Sequence, residues 1–317
     1  NTSDEEIGEM MRMVISHEIG HALGLPHNMK ASYAYPTDSL RSPSFTNKWG
    51  LASTLMDYTR YNYVAQPGDG DVRWVRMLGP YDSYAINWGY RFIGEANSAE
   101  EEKSTLNAWI NEKAGDPMYL FGGRNSFDPS SQTESVGDDP VKASTYGLSN
   151  LKIVAKNLNK WTATPDEGYE DLSELYRELI GVWSRYAGHV ITNIGGVYEQ
   201  FFTTNQEGQV YTHLEKSEQI KAMKFLTEHV FTSSDWLSPT DVVANIGPSG
   251  SLALIQKMQE RQLGNLLRSE RMLRMIENEE LNGSKAYTLT QMLSDLRKGL
   301  WSELSIVKKI GANRRNI

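Results

Sequence analysis

The segment His17-Glu18-Ile19-Gly20-His21-Ala22-Leu23-Gly24-Leu25-Pro26-His27 holds three histidines and a carboxylate at spacings that suit a metal ion. Residues four apart share one face of a helix, so His17 and His21 can present imidazole nitrogens to a single ion. Gly24 lets the backbone leave that helix through a left-handed conformation and brings His27 round as a third ligand. Three neutral imidazoles fill three corners of a tetrahedron and leave the fourth for water, the arrangement of a catalytic rather than a structural zinc. Zinc lowers the pKa of its water from 15.7 towards about 7, and Glu18 is placed to take the released proton as general base and return it as general acid. The pattern H-E-x-x-H-x-x-G-x-x-H thus predicts one catalytic Zn2+ on His17, His21 and His27, with Glu18 as the catalytic carboxylate. His189, His213 and His229 have no partner pattern and are expected to stay outside the site.

A helix must carry the first two histidines. Ser3 and Glu6 stand in the relation of a capping box, and Ile7, Met10, Met11, Val14, Ile15, Ala22 and Leu23 follow at helical spacing, which predicts a helix over Asp4–Leu23. Gly24 stops it, and Pro26 prevents its continuation. From Asn28 to Gly79 the chain is rich in Ser, Tyr, Asn, Pro and Gly with little period, and reads as long ordered loops with aromatic anchors. Short helices are expected over Tyr81–Trp88 and Ala99–Ile110.

The stretch Gly115–Pro140 contains four Gly, three Pro, four Ser and four Asp and reads as a boundary or linker. Beyond it, apolar residues three and four apart predict helices over Val141–Trp161, Leu172–Ile194, Ser217–Phe231, Ser251–Ile276 and Leu289–Ile306, a helical bundle. One interruption, Val197–Leu214, alternates around Asn205-Gln206-Glu207-Gly208 and reads as a β-hairpin. The expected domains are 1–115, which carries the metal motif, a linker over 116–140, and a helical domain over 141–317.

Composition narrows the function classes. The 317 residues are about two domains' worth, and no tract is long and apolar enough to span a membrane. A net charge of −8 argues against a general nucleic-acid binder, which needs a basic footprint. Residues 251–317 reverse the sign, with 12 Lys and Arg against 7 Asp and Glu, and read as solvated helix faces first and a docking surface second. With no cysteine, disulfides and thiol catalysis are excluded. The opening Asn1-Thr2-Ser3-Asp4 has neither an initiator Met nor a signal segment, so the chain is read as the C-terminal part of a longer protein.

The zinc motif together with Thr54-Leu55-Met56-Asp57-Tyr58, in which Met56 follows His27 by 29 residues, resembles the metzincin clan of zinc metallopeptidases. Further stretches resemble the bacterial family known as Met-zincin: His27-Asn28-Met29-Lys30-Ala31-Ser32, Tyr61 to Asp69, Tyr81-Asp82, Trp88-Gly89-Tyr90, Val141-Lys142-Ala143-Ser144 and Tyr146-Gly147-Leu148. The resemblance implies an α+β but predominantly α fold, the lower half of a metzincin catalytic domain followed by a helical bundle. It also implies that Met56 is the Met-turn residue, an apolar floor under the imidazoles and not a ligand. Tyr58 matches a position where some metzincins keep a tyrosine near the metal; its hydroxyl would ligate the open site or hydrogen-bond the oxyanion, or the ring is a packing residue.

In that clan a sheet-bearing N-terminal subdomain precedes the active-site helix and completes the cleft, so the missing N-terminal region of the same protein is an expected partner, beside a protein or peptide substrate. The resemblance further implies an exported protein, periplasmic, cell-surface or extracellular. Secreted members often carry structural calcium, but Asp116, Asp128, Asp138 and Asp139 lack an ordered ligand spacing, which leaves calcium the lesser expectation. The leading reading is a zinc-dependent endopeptidase. The alternatives are a zincin-like binding or scaffold protein with little or no peptidase activity, and a hydrolase of non-peptide amides that uses the same site.

Overall fold

Ser3 caps the first helix as its sequence predicts: the Ser3 N–H donates to Glu6 Oε2 at 2.8 Å and the Glu6 N–H returns to Ser3 Oγ at 3.2 Å. Asp4, Glu5 and Glu6 in the first turn complement the positive end of the helix dipole. The computed structural model that contains this helix describes residues 3–248 and 250–302. Helices dominate it, and among the described residues the strands are one pair, Val197–Glu199 (β1) and Tyr211–His213 (β2). The fold is therefore α+β with a large excess of α. No helix among the described residues is long and apolar enough to cross a membrane.

The chain divides into two compact units. The first comprises residues 1–126, 130–139 and 199–210. It contains helices α1 (Asp4–Ala22), α2 (Pro43–Trp49), α3 (Pro80–Tyr90) and α4 (Ala99–Asn111). Between α1 and α3 the backbone is mostly irregular, as its composition predicts, yet Leu40, Leu51, Ala52, Leu55, Met56, Val64 and Val72 are buried there. Side chains hold these loops in place: Asn62 Nδ2 donates to the carbonyls of Leu40 and Arg73, and Arg41 grips Asp69 through Nε at 2.8 Å and Nη2 at 2.7 Å. Helix α2 is an addition to the sequence reading; Ser42 caps it, and Pro43 occupies its first turn.

The apolar residues of α1 differ from the usual amphipathic helix. Ile7, Met10, Met11, Val14, Ile15, Ile19 and Leu23 are all exposed, while His17 and Gly20 are the buried positions. The face that the helix buries is the one that carries the metal motif.

The second unit comprises residues 127–129, 140–198 and 211–317, and is a bundle of α5 (Pro140–Thr162), α6 (Glu170–Asn193), α7 (Lys216–His229), α8 (Thr240–Ile246), α9 (Gly250–Leu266), α10 (Ser269–Asn282) and α11 (Leu289–Leu300). α6 is its centre, packed by α5, α7 and α9 through Leu172, Tyr176, Leu179, Ile180 and Trp183. One expectation needs correction. The helix expected over Ser251–Ile276 is two helices, broken at Leu267 and Arg268 without Gly or Pro, because Arg268 is extended (φ −62°, ψ 138°) and Arg271 turns its guanidinium onto the carbonyls of Ile191 and Ile194 at the end of α6. Burial there lowers the Arg271 pKa to about 9. A short helix, α8, adds to the bundle, and the hairpin strands span three residues each. Residues 303–306 of the last expected helix lie outside the described residues.

Candidate metal centre

α1 ends in a Schellman motif: the Leu25 N–H reaches Gly20 O at 3.0 Å and the Gly24 N–H reaches His21 O at 2.9 Å, with Gly24 at φ +84°. The reversal turns His27 back over the helix end. Asn28 then fixes it: its backbone N–H donates to Met56 O at 3.0 Å, its Nδ2 donates to Leu120 O at 2.8 Å, and its Oδ1 accepts from the N–H groups of Lys30 and Gly122. His27 is thereby fastened both to the turn at Met56 and to the segment around Gly122.

The three histidines converge. Their ring centroids are 4.8 Å apart for His17 and His21, 5.2 Å for His17 and His27, and 4.5 Å for His21 and His27. One nitrogen from each lies within 4.8 Å of the others. His17 Nδ1 donates to Leu55 O at 2.7 Å and His21 Nδ1 donates to Leu25 O at 2.9 Å, so both rings carry their proton on Nδ1 and turn Nε2 inward. His21 Nε2 and His27 Nε2 are 3.0 Å apart, near the edge of about 3.3 Å of a tetrahedron of zinc–nitrogen bonds. His17 Nε2 is buried and has no hydrogen-bond partner among the described residues. An acceptor orphaned in that way fits a cation, and outer nitrogens committed to carbonyls are the support that metal-binding histidines require.

Burial, and after it the neighbouring imidazoles, lowers the pKa of His27; burial and the nearby Arg76 charge do the same to His17, against the bond to Leu55. Both shifts favour the neutral, ligating form. Glu18 is exposed next to them and acts on His17 and His27 with opposing charge. The Tyr58 ring is exposed on one side and lies 4.1 Å from the His27 ring and 5.6 Å from the His17 ring, centroid to centroid. Met56 is buried under α1 against Gly20.

A family model described as Met-zincin matches residues 1–307. The chain belongs to the Met-zincin family. No curated protein and no solved structure matches it. Family membership implies zinc, and in this Met-zincin chain the residues present fit it: three imidazoles, an open side and a carboxylate beside it.

The supporting residues were not legible as such in sequence. Asp57 is fully buried and accepts from the Ser32 N–H, the Thr59 N–H and the Thr59 hydroxyl; burial pushes its carboxyl up and these donors oppose the shift. Arg76 donates to the Asp57 carbonyl and places Nη2 3.1 Å from Met13 Sδ, one turn before His17, so it joins α1 to the Met56 turn. Asp82 accepts from Thr54, Leu55 and Gly79. Its one local signal is the run Gly79-Pro80-Tyr81-Asp82, which reads as a helix start. His189, His213 and His229 belong to the second unit. Among the described residues Asp116, Asp128, Asp138 and Asp139 form no metal-holding group; Asp116 caps Met118, and Asp138 accepts from Thr37.

Proposed function

We propose that the chain carries the metal centre of a zinc-dependent endopeptidase, with His17, His21 and His27 as ligands to one catalytic zinc and Glu18 as general base and then acid. The observation that supports this most is the buried Nε2 of His17, without a hydrogen-bond partner among the described residues, in a set of imidazoles of which His17 and His21 direct their Nδ1 protons to carbonyls. A buried acceptor without a donor is costly unless a cation meets it.

Zinc held by His17, His21 and His27 would supply Lewis acidity, to polarise the scissile carbonyl and acidify a water. The chain's own side chains handle the protons. Glu18 takes the proton of the attacking water on its carboxylate and delivers it to the nitrogen of the departing amine. Tyr58, held over His27 and His17, donates its hydroxyl to the oxygen that gains charge as the carbonyl carbon becomes tetrahedral. Met56 closes the floor without ligating. In the same reading, the exposed apolar stripe of α1 is covered by upstream sequence of the same protein, and an exported location rests on the resemblance to exported metzincins.

Elemental mass spectrometry and a peptide library test the reading. Glu18→Ala keeps about one zinc per chain and abolishes peptide hydrolysis by the protein, whereas His17→Ala loses the metal. Full turnover in Glu18→Ala, or undiminished metal in His17→Ala, would sink it. A binding or scaffold protein that retains the zinc site is the second reading, supported by the apolar stripe beside the site; zinc uptake with no cleavage of any library peptide would favour it.

A further inference from the structure

The bond from His17 to Leu55 O does not end at that carbonyl. Leu55 O belongs to the peptide unit whose N–H is that of Met56, and the Met56 N–H donates to Thr54 Oγ1 at 3.0 Å. The Thr54 hydroxyl in turn donates to Asp82 Oδ1. The other Asp82 oxygen accepts from the Leu55 N–H at 3.0 Å and the Gly79 N–H at 2.8 Å. A backbone carbonyl only accepts and an ionised carboxylate only accepts, so the donors point one way throughout: imidazole to peptide, peptide to hydroxyl, hydroxyl to carboxylate.

Every member is buried: His17 is 4% exposed, Leu55 3%, Met56 1%, Thr54 0% and Asp82 5%. In such an environment consecutive hydrogen bonds polarise one another. Negative charge at Asp82 makes Thr54 Oγ1 a better acceptor, which strengthens the dipole of peptide 55–56 and makes Leu55 O a better acceptor for the His17 Nδ1 proton. Electron density on His17 Nε2 rises accordingly.

We propose that Asp82, through Thr54 and the peptide between Leu55 and Met56, is a positioning residue of the metal centre that fixes the tautomer and orientation of His17 and raises its strength as a ligand. The inference rests on the reading that the three histidines hold a metal. It assigns the Asp82 carboxylate the part that a carboxylate in direct contact with a metal-bound histidine plays elsewhere, with a hydroxyl and a peptide interposed.

Two readouts on the whole chain test it. In the first, cobalt(II) is titrated against a chromophoric chelator. Thr54→Val, which removes the hydroxyl at nearly constant volume, and Asp82→Asn each weaken cobalt binding about 10–100-fold, whereas Thr54→Ser, which keeps the hydroxyl, binds within about threefold of the unmodified chain. In the second, nitrogen-15 NMR of the metal-free chain follows the His17 imidazole, assigned by its loss in His17→Ala. A protonated Nδ1 with a strongly downfield proton is expected in the unmodified chain and in Thr54→Ser, and an upfield shift in Thr54→Val. Equal cobalt affinity in Thr54→Val and Thr54→Ser overturns the relay. So does a His17 imidazole protonated on Nε2 in the unmodified chain. An unmodified chain that takes up no cobalt overturns the metal reading instead, and the imidazole signal then decides the relay: an unmoved signal in Thr54→Val rejects it.

Discussion

Gly20 and Met56 share one packing site: the first carbon of any side chain on Gly20 would fall inside the contact distance of the Met56 sulfur and 3.3 Å from its methyl carbon. Gly20 lies between the two histidines on α1, and Met56 follows the carbonyl that holds His17, so the thioether packs helix and turn together through the position with no side chain. Alanine at position 20 gains about 1 kcal/mol of helix propensity and pays an overpacking cost of about 1–3 kcal/mol. The expected net change is a loss of about 1 kcal/mol, with weaker metal binding because the Met56 turn is displaced. Gly8, in the same helix, has no neighbour among the described residues where a side chain would begin. Gly8→Ala is therefore expected to stabilise by about 0.5–1 kcal/mol. Urea denaturation of the two variants checks this, and equal stabilisation of both would refute the packing argument.

A second prediction concerns Gly24. Its φ of +84° is set by the Schellman turn, and no atom of the described residues crowds the position, so a substitution there meets backbone strain. Gly24→Ala is expected to cost about 1–2 kcal/mol. Gly24→Asn, which tolerates this region better, should cost less. Since the turn aims His27, metal affinity measured by calorimetry should fall in the order glycine, asparagine, alanine.

The convergence of His17, His21 and His27 was legible because its logic is local. Four residues of helix align His17 with His21, and one glycine returns the chain to His27. The residues that hold these imidazoles in place were not, because their contacts are long-range in sequence. Asn28 reaches Leu120 and Gly122, Thr59 reaches Ser135, and Asp82 reaches back to Thr54. Nothing in the local pattern of a loop says which buried polar side chain will meet which backbone group. Periodicity is limited in a different way on α1: it locates an apolar stripe but does not say what covers it, and Ile7, Met10, Met11, Val14, Ile15, Ile19 and Leu23 are exposed. In the bundle, apolar spacing placed the helices, yet the break at Arg268 depends on an arginine that finds carbonyls on another helix.

The stripe on α1 has a measurable consequence. Ile15 and Ile19 are more than half exposed and stand next to Met11 and Val14 on the helix surface, a contiguous apolar patch of the kind that associates in water. The isolated chain is expected to show concentration-dependent self-association by light scattering. Replacing Ile15 and Ile19 with glutamine should suppress it while changing stability by about 0.5 kcal/mol or less, as surface substitutions do. A loss several times larger would mean that the two side chains are packed.

Acid stability should depend on the grip of Arg41 on Asp69. The guanidinium bond, joined by the Gln66 N–H at 2.7 Å, holds the Asp69 carboxyl below its ordinary value of 3.8. A carboxyl with a lowered folded-state pKa stabilises the fold fully above the unfolded value, and that contribution is lost as pH falls through the folded one. The side chains are partly exposed, 31% for Arg41 and 11% for Asp69, so solvent screening limits the pair to about 1 kcal/mol. Asp69→Asn should therefore cost about 0.5–1 kcal/mol at pH 7, with the gap from the unmodified chain closing as pH falls below about 4. Thermal unfolding of both chains from pH 7 down to pH 3 tests this, and a gap that stays constant or widens towards pH 3 would show that Asp69 acts through packing rather than charge.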